Sequence, residues 1–338
     1  MVSCAAIILT GLSLNEKEKY LDFGLSILKK IIDFSFDNQG FPKSRSIKQL
    51  IFYLKYFVLI RAWLKESQSE IPEYLDEIIF YLGKSYSILC QGNSKTILFN
   101  GNHETDSKDF DSYLNNHGYK FKSNSFETGG YIFLKNKKIN LIMDIGSSPE
   151  KKFSKNYQFG ALSFEIISNN KKLICNSGYF QKTKHKLNDI SKSSANHSTL
   201  IIDNHSSCKI NKSTMEIENA LKILNKNFVM EKNYWNISAS HDGYSKQYGV
   251  VHERQIEFFP ENNKFVGQDK LIKKKNFKSS NFEIRFHLEP DTKVMKTQDG
   301  KSILIDIENE GWKFSAQGYT IDLETGLYFG KKNSFTEN

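Results

Sequence analysis

Five residues near position 250 could together do proton or anion chemistry: His241, Asp242, Tyr244, His252 and Arg254. Imidazole, phenol and guanidinium groups gathered in so short a span can supply an acid, a base and an anion contact. Side chains alternate along a strand, so His252 and Arg254 share one face while Val251 and Glu253 take the other. That face suits an acidic sugar. It equally suits the polar outer side of a sheet, and the residues alone leave both open. His287, between Phe286 and Leu288, reads as a strand residue facing solvent. Asp144-Ile-Gly146 reads as a strand end and turn. Cys4, Cys90, Cys175 and Cys208 form no CxxC pair and no disulfide-dense pattern, so they read as buried thiols.

The elements that must position these groups fall into two textures. From Met1 to about residue 92, apolar residues recur at helical spacing. Met1 to Leu14 forms one such run, and Tyr20, Phe23, Leu25, Leu28, Ile31 and Ile32 mark a segment from Glu16 to Phe34. Further helices are predicted over Ser46–Lys65 and, opening with Pro72 in the first turn, over Pro72–Leu89. From about Lys95 the chain turns to β-branched and aromatic runs broken by Asn, Gly, Asp and Lys. Hairpins are predicted to turn near Asn136-Lys137 and on Asn169-Asn170. Later strands are predicted at 198–202, 233–239, 250–259, 265–272, 282–288, 302–307, 312–316 and 319–323. The expected fold is therefore an α+β multidomain chain, with a helical domain over 1–92 and a large antiparallel β-sandwich over 93–338. A length of 338 residues accommodates two cores.

A hydrophobic content of 39% with 25% charged residues argues against disorder and against a membrane protein. The net charge of +9 creates a field that attracts polyanions, yet on charge alone a merely solvated basic surface fits as well. The basic residues are dispersed and no recognition module is present, which argues against nucleic acid as the partner. The apolar start has no basic n-region and contains Thr10 and Gly11, so it reads as a helix rather than an export signal or membrane span. The expected location is cytoplasmic as the chain stands, and periplasmic if a targeting segment precedes it.

Three stretches resemble the heparinase II/III-like family. Phe159-Gly-Ala-Leu-Ser-Phe-Glu-Ile166, followed by Leu173-Ile-Cys-Asn-Ser-Gly-Tyr179, is similar to the family's "LSFE" strand and the "NxG" or "DSG" strand end after it. Lys192-Ser-Ser-Ala-Asn-His-Ser-Thr-Leu-Ile-Ile-Asp203 resembles its "R-x-T-x-x-H-(S/N)-T-L" strand start. Ala239-Ser-His-Asp-Gly-Tyr244, Tyr248-Gly-Val-Val-His-Glu-Arg254 and Arg285-Phe-His-Leu-Glu-Pro290 resemble the bacterial branch. Gly40-Phe-Pro-Lys-Ser-Arg-Ser46 resembles the loop that closes the family's α/α toroid, so the helical domain is expected to be a partial toroid.

The resemblance implies β-elimination from an acidic, uronic-acid polysaccharide, with the cleft between the two domains. Such a reaction needs a base for the C5 proton, cationic or donor groups for the developing carbanion and an acid for the leaving oxygen. His241, Tyr244 and His252 are the expected catalytic candidates. Lys43, Arg45, Arg254 and His197 are the expected substrate contacts, the first two lying on the loop that faces the sandwich. The match has gaps. The family's toroid Asn or His would lie upstream of Met1, the Tyr that often follows "RSP" falls at Gln49, and the His before "LSFE" falls at Gln158. The structural zinc of some members would draw on positions held here by Gln158, Asn176 and His197, so no metal and no other cofactor is expected. His197 then reads either as a remnant ligand or as a hydrogen-bonded structural histidine. The alternative to a lyase is a non-catalytic acidic-glycan-binding relative.

Overall fold

The fold comes from a computed structural model that describes residues 1–14, 17–90, 95–104, 107–182 and 185–337. The chain divides into two compact units, Met1–Ser94 with Asp106–Gly129, and Lys95–Thr105 with Gly130–Asn338. The expected boundary near residue 92 lies outside the described residues. The structure also differs from that boundary by returning residues 106–129 to the helical unit.

In the first unit the helices are α1 (Val2–Ser13), α2 (Asp22–Ser35), α3 (Ile47–Glu66), α4 (Glu73–Leu89) and α5 (Ser107–Asn116). A π-helical turn, Lys17–Leu21, leads into α2. Helix α3 starts where Ser46 Oγ accepts a hydrogen bond from the Gln49 backbone N–H, a Ser-x-x-Gln cap. Its Ile47, Leu50, Leu54, Phe57, Ile60 and Leu64 are buried, recurring at three- and four-residue steps. Pro72 is the N-cap of α4 rather than its first helical residue. On α1, Ile8 is fully buried while Leu9 is exposed. A short strand, β1 (Glu127–Thr128), ends the unit, where Thr128 Oγ1 lies 2.7 Å from Ser85 Oγ of α4.

The second unit is the sandwich. Strands β2 (Tyr131–Lys135), β3 (Ile139–Asp144), β4 (Phe164–Ser168) and β5 (Lys171–Ile174) run as an antiparallel meander. Asn169 and Asn170 both take positive φ in the β4–β5 turn, a conformation asparagine tolerates better than most residues. Three further strands are β6 (Leu200–Ile202), β7 (Ile223–Met230) and β8 (Trp235–His241). After them come β9 (Val250–Phe259), β10 (Lys264–Lys273) and β11 (Phe282–Ile284). The sheet order β10-β9-β8-β7 makes a second layer, and β11 pairs with β6. A three-stranded sheet of β12 (Lys293–Lys296), β13 (Ser302–Ile307) and β14 (Glu310–Ser315) follows, and a short pair, Leu327–Tyr328 with Thr336–Glu337, comes last. One core joins these sheets through Ile132, Leu141, Phe164, Trp235, Ile256, Phe258 and Ile305.

Helices α6 (Leu187–Lys192) and α7 (Ser245–Tyr248) are short connectors. The strand expected at 282–288 is three residues long, and residues 319–323 form no strand. No described helix is long and apolar enough to cross a membrane. All four cysteines are free; Cys4, Cys175 and Cys208 are buried and Cys90 is half-buried.

Candidate functional site

The constellation singled out by sequence does assemble, but on the inner face of the second sheet. β9 and β10 pair so that Arg254 faces Asp269, and β8 pairs with β9 so that His241 faces His252. Arg254 grips Asp269 through two parallel bonds, Nε to Oδ1 at 2.7 Å and Nη2 to Oδ2 at 3.0 Å. Its Nη1 donates to the carbonyls of Leu162 at 3.0 Å and Ser198 at 2.7 Å. The guanidinium also lies over the Phe164 ring, 5.4 Å from its centre. One side chain thus ties β9 to β10 and to the two segments that precede β4 and β6.

Beside it runs a chain of hydrogen bonds whose direction is fixed. His241 Nδ1 accepts from the Gly243 backbone N–H at 3.0 Å, so the ring proton sits on Nε2. Nε2 lies 3.2 Å from His252 Nδ1 and donates to it. His252 Nε2 then donates to Asp269 Oδ1 at 2.6 Å. Burial pushes both imidazoles below the usual histidine range, and His252 with Arg254 pushes His241 down further. Both are neutral, as the donor order requires. Burial raises the Asp269 carboxyl, but Arg254 and His252 outweigh it and hold the group well below the ordinary carboxylate range.

The structure encloses most of the candidate side chains. His241, His252, Arg254, Tyr244 and His197 are each at most 1% exposed. Side chains so enclosed do not reach a polymer in solvent. Tyr244 directs its hydroxyl to the carbonyls of Leu200, at 2.9 Å, and His205, at 3.3 Å. On the helical unit, Lys43 Nζ binds the Asp33 and Phe34 carbonyls at the end of α2, as expected of a cation at a helix C-terminus. Arg45 is buried with φ at +58°, and its Nε donates to the Gly129 carbonyl at 3.0 Å. Both of these cations brace the unit internally. His287, expected to face solvent, is half-buried and bonds the Ala195 carbonyl at 2.9 Å; burial lowers its pKa to about 4.

Gln158 shows what an amide does where the family resemblance places a histidine. Its Nε2 donates to the carbonyls of Gly178 and Ser191, at 2.8 and 2.6 Å, and its Oε1 accepts from Gly101 N–H at 3.0 Å. Asn176 Oδ1 accepts from Ser198 N–H at 3.0 Å. The His197 ring lies against Gly160, where a Cβ would come within 2.8 Å of it, and among the described residues neither ring nitrogen has a hydrogen-bond partner. Burial, with His287 nearby, lowers its pKa to about 3. One neutral imidazole and two amides committed to backbone do not fit a structural zinc, which takes four ligands, each a thiolate, imidazole or carboxylate. Among the described residues no group of three or more His, Cys, Asp or Glu gathers as a metal site. Metal analysis of the purified protein is expected to find no stoichiometric zinc. One zinc per chain, lost in His197→Ala, is the result that refutes this.

Several groups had no part in the sequence reading. Asp269 organises the network, and Glu165 with Lys172 forms an ion pair at 3.4 Å in which both side chains are essentially inaccessible. A surface depression lined by Ile201, Asp203, Asn204, Asn281 and Glu283 carries two carboxylates, the wrong sign for a polyanion. The signal for Asp269 was present in the hairpin register, since the β9–β10 turn sets it opposite Arg254.

The model of the family described as heparinase II/III-like, C-terminal, matches residues 120–338. No curated protein matches the chain in sequence. Among solved structures, heparan sulfate lyase HepC from Pedobacter heparinus superposes with a TM-score of 0.77 at 15% identity, covering 99% of this chain and 55% of its own. A heparinase III gene product gives 0.80 at 14% identity, with coverages of 99% and 55%. A further heparinase III structure gives 0.75 at 16% identity, with coverages of 99% and 56%. This chain spans about half the length of those proteins, and at such identities the likeness establishes the fold.

Proposed function

Because the chain belongs to the heparinase II/III-like family, and so is related in family and fold to polysaccharide lyases, we propose that it binds acidic polysaccharide without itself carrying out β-elimination. The observation that carries this reading is the state of Gln158. It stands where the family resemblance places a histidine, and its amide is saturated by three backbone bonds. An amide neither takes nor returns a proton near neutral pH. Gln49 stands where that resemblance places a tyrosine, and it accepts a hydrogen bond from Ser44 Oγ in the first turn of α3. The imidazoles of His241 and His252 are enclosed and occupied. Loss of a positioned acid or base costs about 10²–10⁴-fold in rate each. Binding is favoured by the field of a chain of net charge +9 and needs none of these groups.

β-Elimination leaves a C4–C5 unsaturated uronate that absorbs in the ultraviolet, whereas binding leaves the polymer intact. Incubation with heparan sulfate, hyaluronan and alginate is expected to give no absorbance rise above the uncatalysed rate, alongside salt-sensitive binding to at least one of them. Robust turnover abolished by His252→Ala at unchanged thermal stability returns the lyase reading. Absence of binding to every acidic polymer refutes the proposal.

A further inference from the structure

We propose that the turn after β10, carrying Lys273, Lys274, Lys275 and Lys278 with Lys246 of α7, is a docking surface for a strand of acidic polysaccharide. The inference rests on the binding reading above and gives it a location. All five lysines are exposed. Among the described residues none of Lys246, Lys274, Lys275 and Lys278 has a carboxylate partner, although Lys270, a few residues earlier, pairs with Glu253 at 3.5 Å. Lys273 holds its ammonium over the Phe277 ring, 4.4 Å from the centre, a contact that leaves its charge uncancelled.

The turn is a built feature. Lys274 N–H donates to the Gly249 carbonyl at 2.7 Å, Lys278 N–H to the Tyr248 carbonyl at 3.0 Å, and Phe277 N–H to Lys274 at 3.1 Å. Asn276 Nδ2 adds a bond to the Ser245 carbonyl at 3.2 Å. Gly249, at φ +67°, is packed so closely that a Cβ there would sit 2.4 Å from the Asn276 backbone. The end of α7 therefore fixes the turn and brings Lys246 to it.

Like charges held on a fixed backbone repel one another, and these lysines offset that cost with no salt bridge. What they provide is a short row of ammonium donors free to meet carboxylates or sulfates on a polymer. Phe277, 40% exposed in their midst, offers an apolar face beside them of the kind on which a sugar ring can lie. An anion docked here recovers the repulsion among the lysines.

The test uses the full chain and a heparin-derived decasaccharide, with affinity measured by calorimetry at several salt concentrations. A Lys274→Ala/Lys275→Ala/Lys278→Ala variant is expected to lose about tenfold in affinity at low salt and to show a flatter salt dependence, having fewer ion contacts to release. Arginine at the same three positions should restore binding. A control with Lys137, Lys138 and Lys232 changed to alanine should stay within about twofold, since specific contacts and not net charge are at stake. If the parent chain binds and the first variant binds as tightly, the surface lies elsewhere and this inference fails while the binding reading stands. If the parent binds nothing acidic, both fail. Equal dependence on these lysines for a single-stranded DNA oligonucleotide, bound as tightly as the decasaccharide, overturns the assignment to polysaccharide.

Discussion

Arg254→Ala is expected to lower folding stability by about 3–5 kcal/mol, because it removes one member of a buried ion pair and leaves the other charge enclosed. Asp269 would keep only its bond from His252, and the Leu162 and Ser198 carbonyls would lose their shared donor. Each buried acceptor left unpaired adds about 1–3 kcal/mol, which places the variant at the upper end of that range. Arg254→Lys should recover part of the loss, since an ammonium can meet one carboxylate oxygen but cannot reproduce the fork. The double variant Arg254→Ala/Asp269→Ala should cost less than the two single changes summed, the sign of direct coupling. Urea denaturation checks all four chains. A loss below about 1 kcal/mol for Arg254→Ala would show that the guanidinium is solvated and place it back among candidate ligands.

Stability should also fall steeply between about pH 6.5 and pH 4. Burial is the largest cause of lowered pKa at His197, His241, His252 and His287, reaching about 3 at His197 and about 4 at His287. Well above the ordinary histidine pKa of about 6.5 each is neutral folded or unfolded, and its contribution is complete. As pH falls, the unfolded chain binds the proton first, and stability declines until the folded pKa is passed. The loss is on the order of 1.4 kcal/mol per pH unit per histidine, enough for a few histidines to consume a total of roughly 5–15 kcal/mol within two units. Urea midpoints measured from pH 7.5 to 4.5 report it, together with net proton uptake on unfolding below pH 6. A midpoint that stays level to pH 5 would mean that these rings are protonated or open to water in the folded chain.

The sandwich was legible where local chemistry and global fold agree. Asn136 and Asn169-Asn170 announced their hairpins, and the Val-x-His-x-Arg alternation on β9 put His252 and Arg254 on one face. Which face was not legible. A charged side chain reads as outward by default, and only the pairing of Arg254 with Asp269 across a turn reverses that. Strand β7 escaped because Leu224 to Asn227 are exposed in succession, which separates Ile223 from Phe228 and Met230 and breaks the alternation. Helix α5 escaped for a related reason: Ser-Lys-Asp-Phe-Asp-Ser-Tyr-Leu-Asn-Asn is too polar to stand out, and Phe110 is held by packing on Tyr86. The surroundings of the candidate site were the least legible. Types and spacing found residues that belong together, but burial decides whether such a group performs chemistry or bears structure, and burial is a property of the assembled sheets.

The one-way hydrogen-bond chain from Gly243 through His241 and His252 to Asp269, locked by Arg254, also bears on how this sequence can drift. No single member can change its charge or donor pattern without stranding a neighbour, so a descendant losing Asp269 must shed the Arg254 charge almost at once. Positions 252, 254 and 269 are therefore expected to be inherited as a block, exchanged together for an apolar set or not at all. Position 241 is the looser link. It bonds a backbone N–H and a neutral imidazole, so a change there strands no charge and leaves a step by which the block can begin to dissolve.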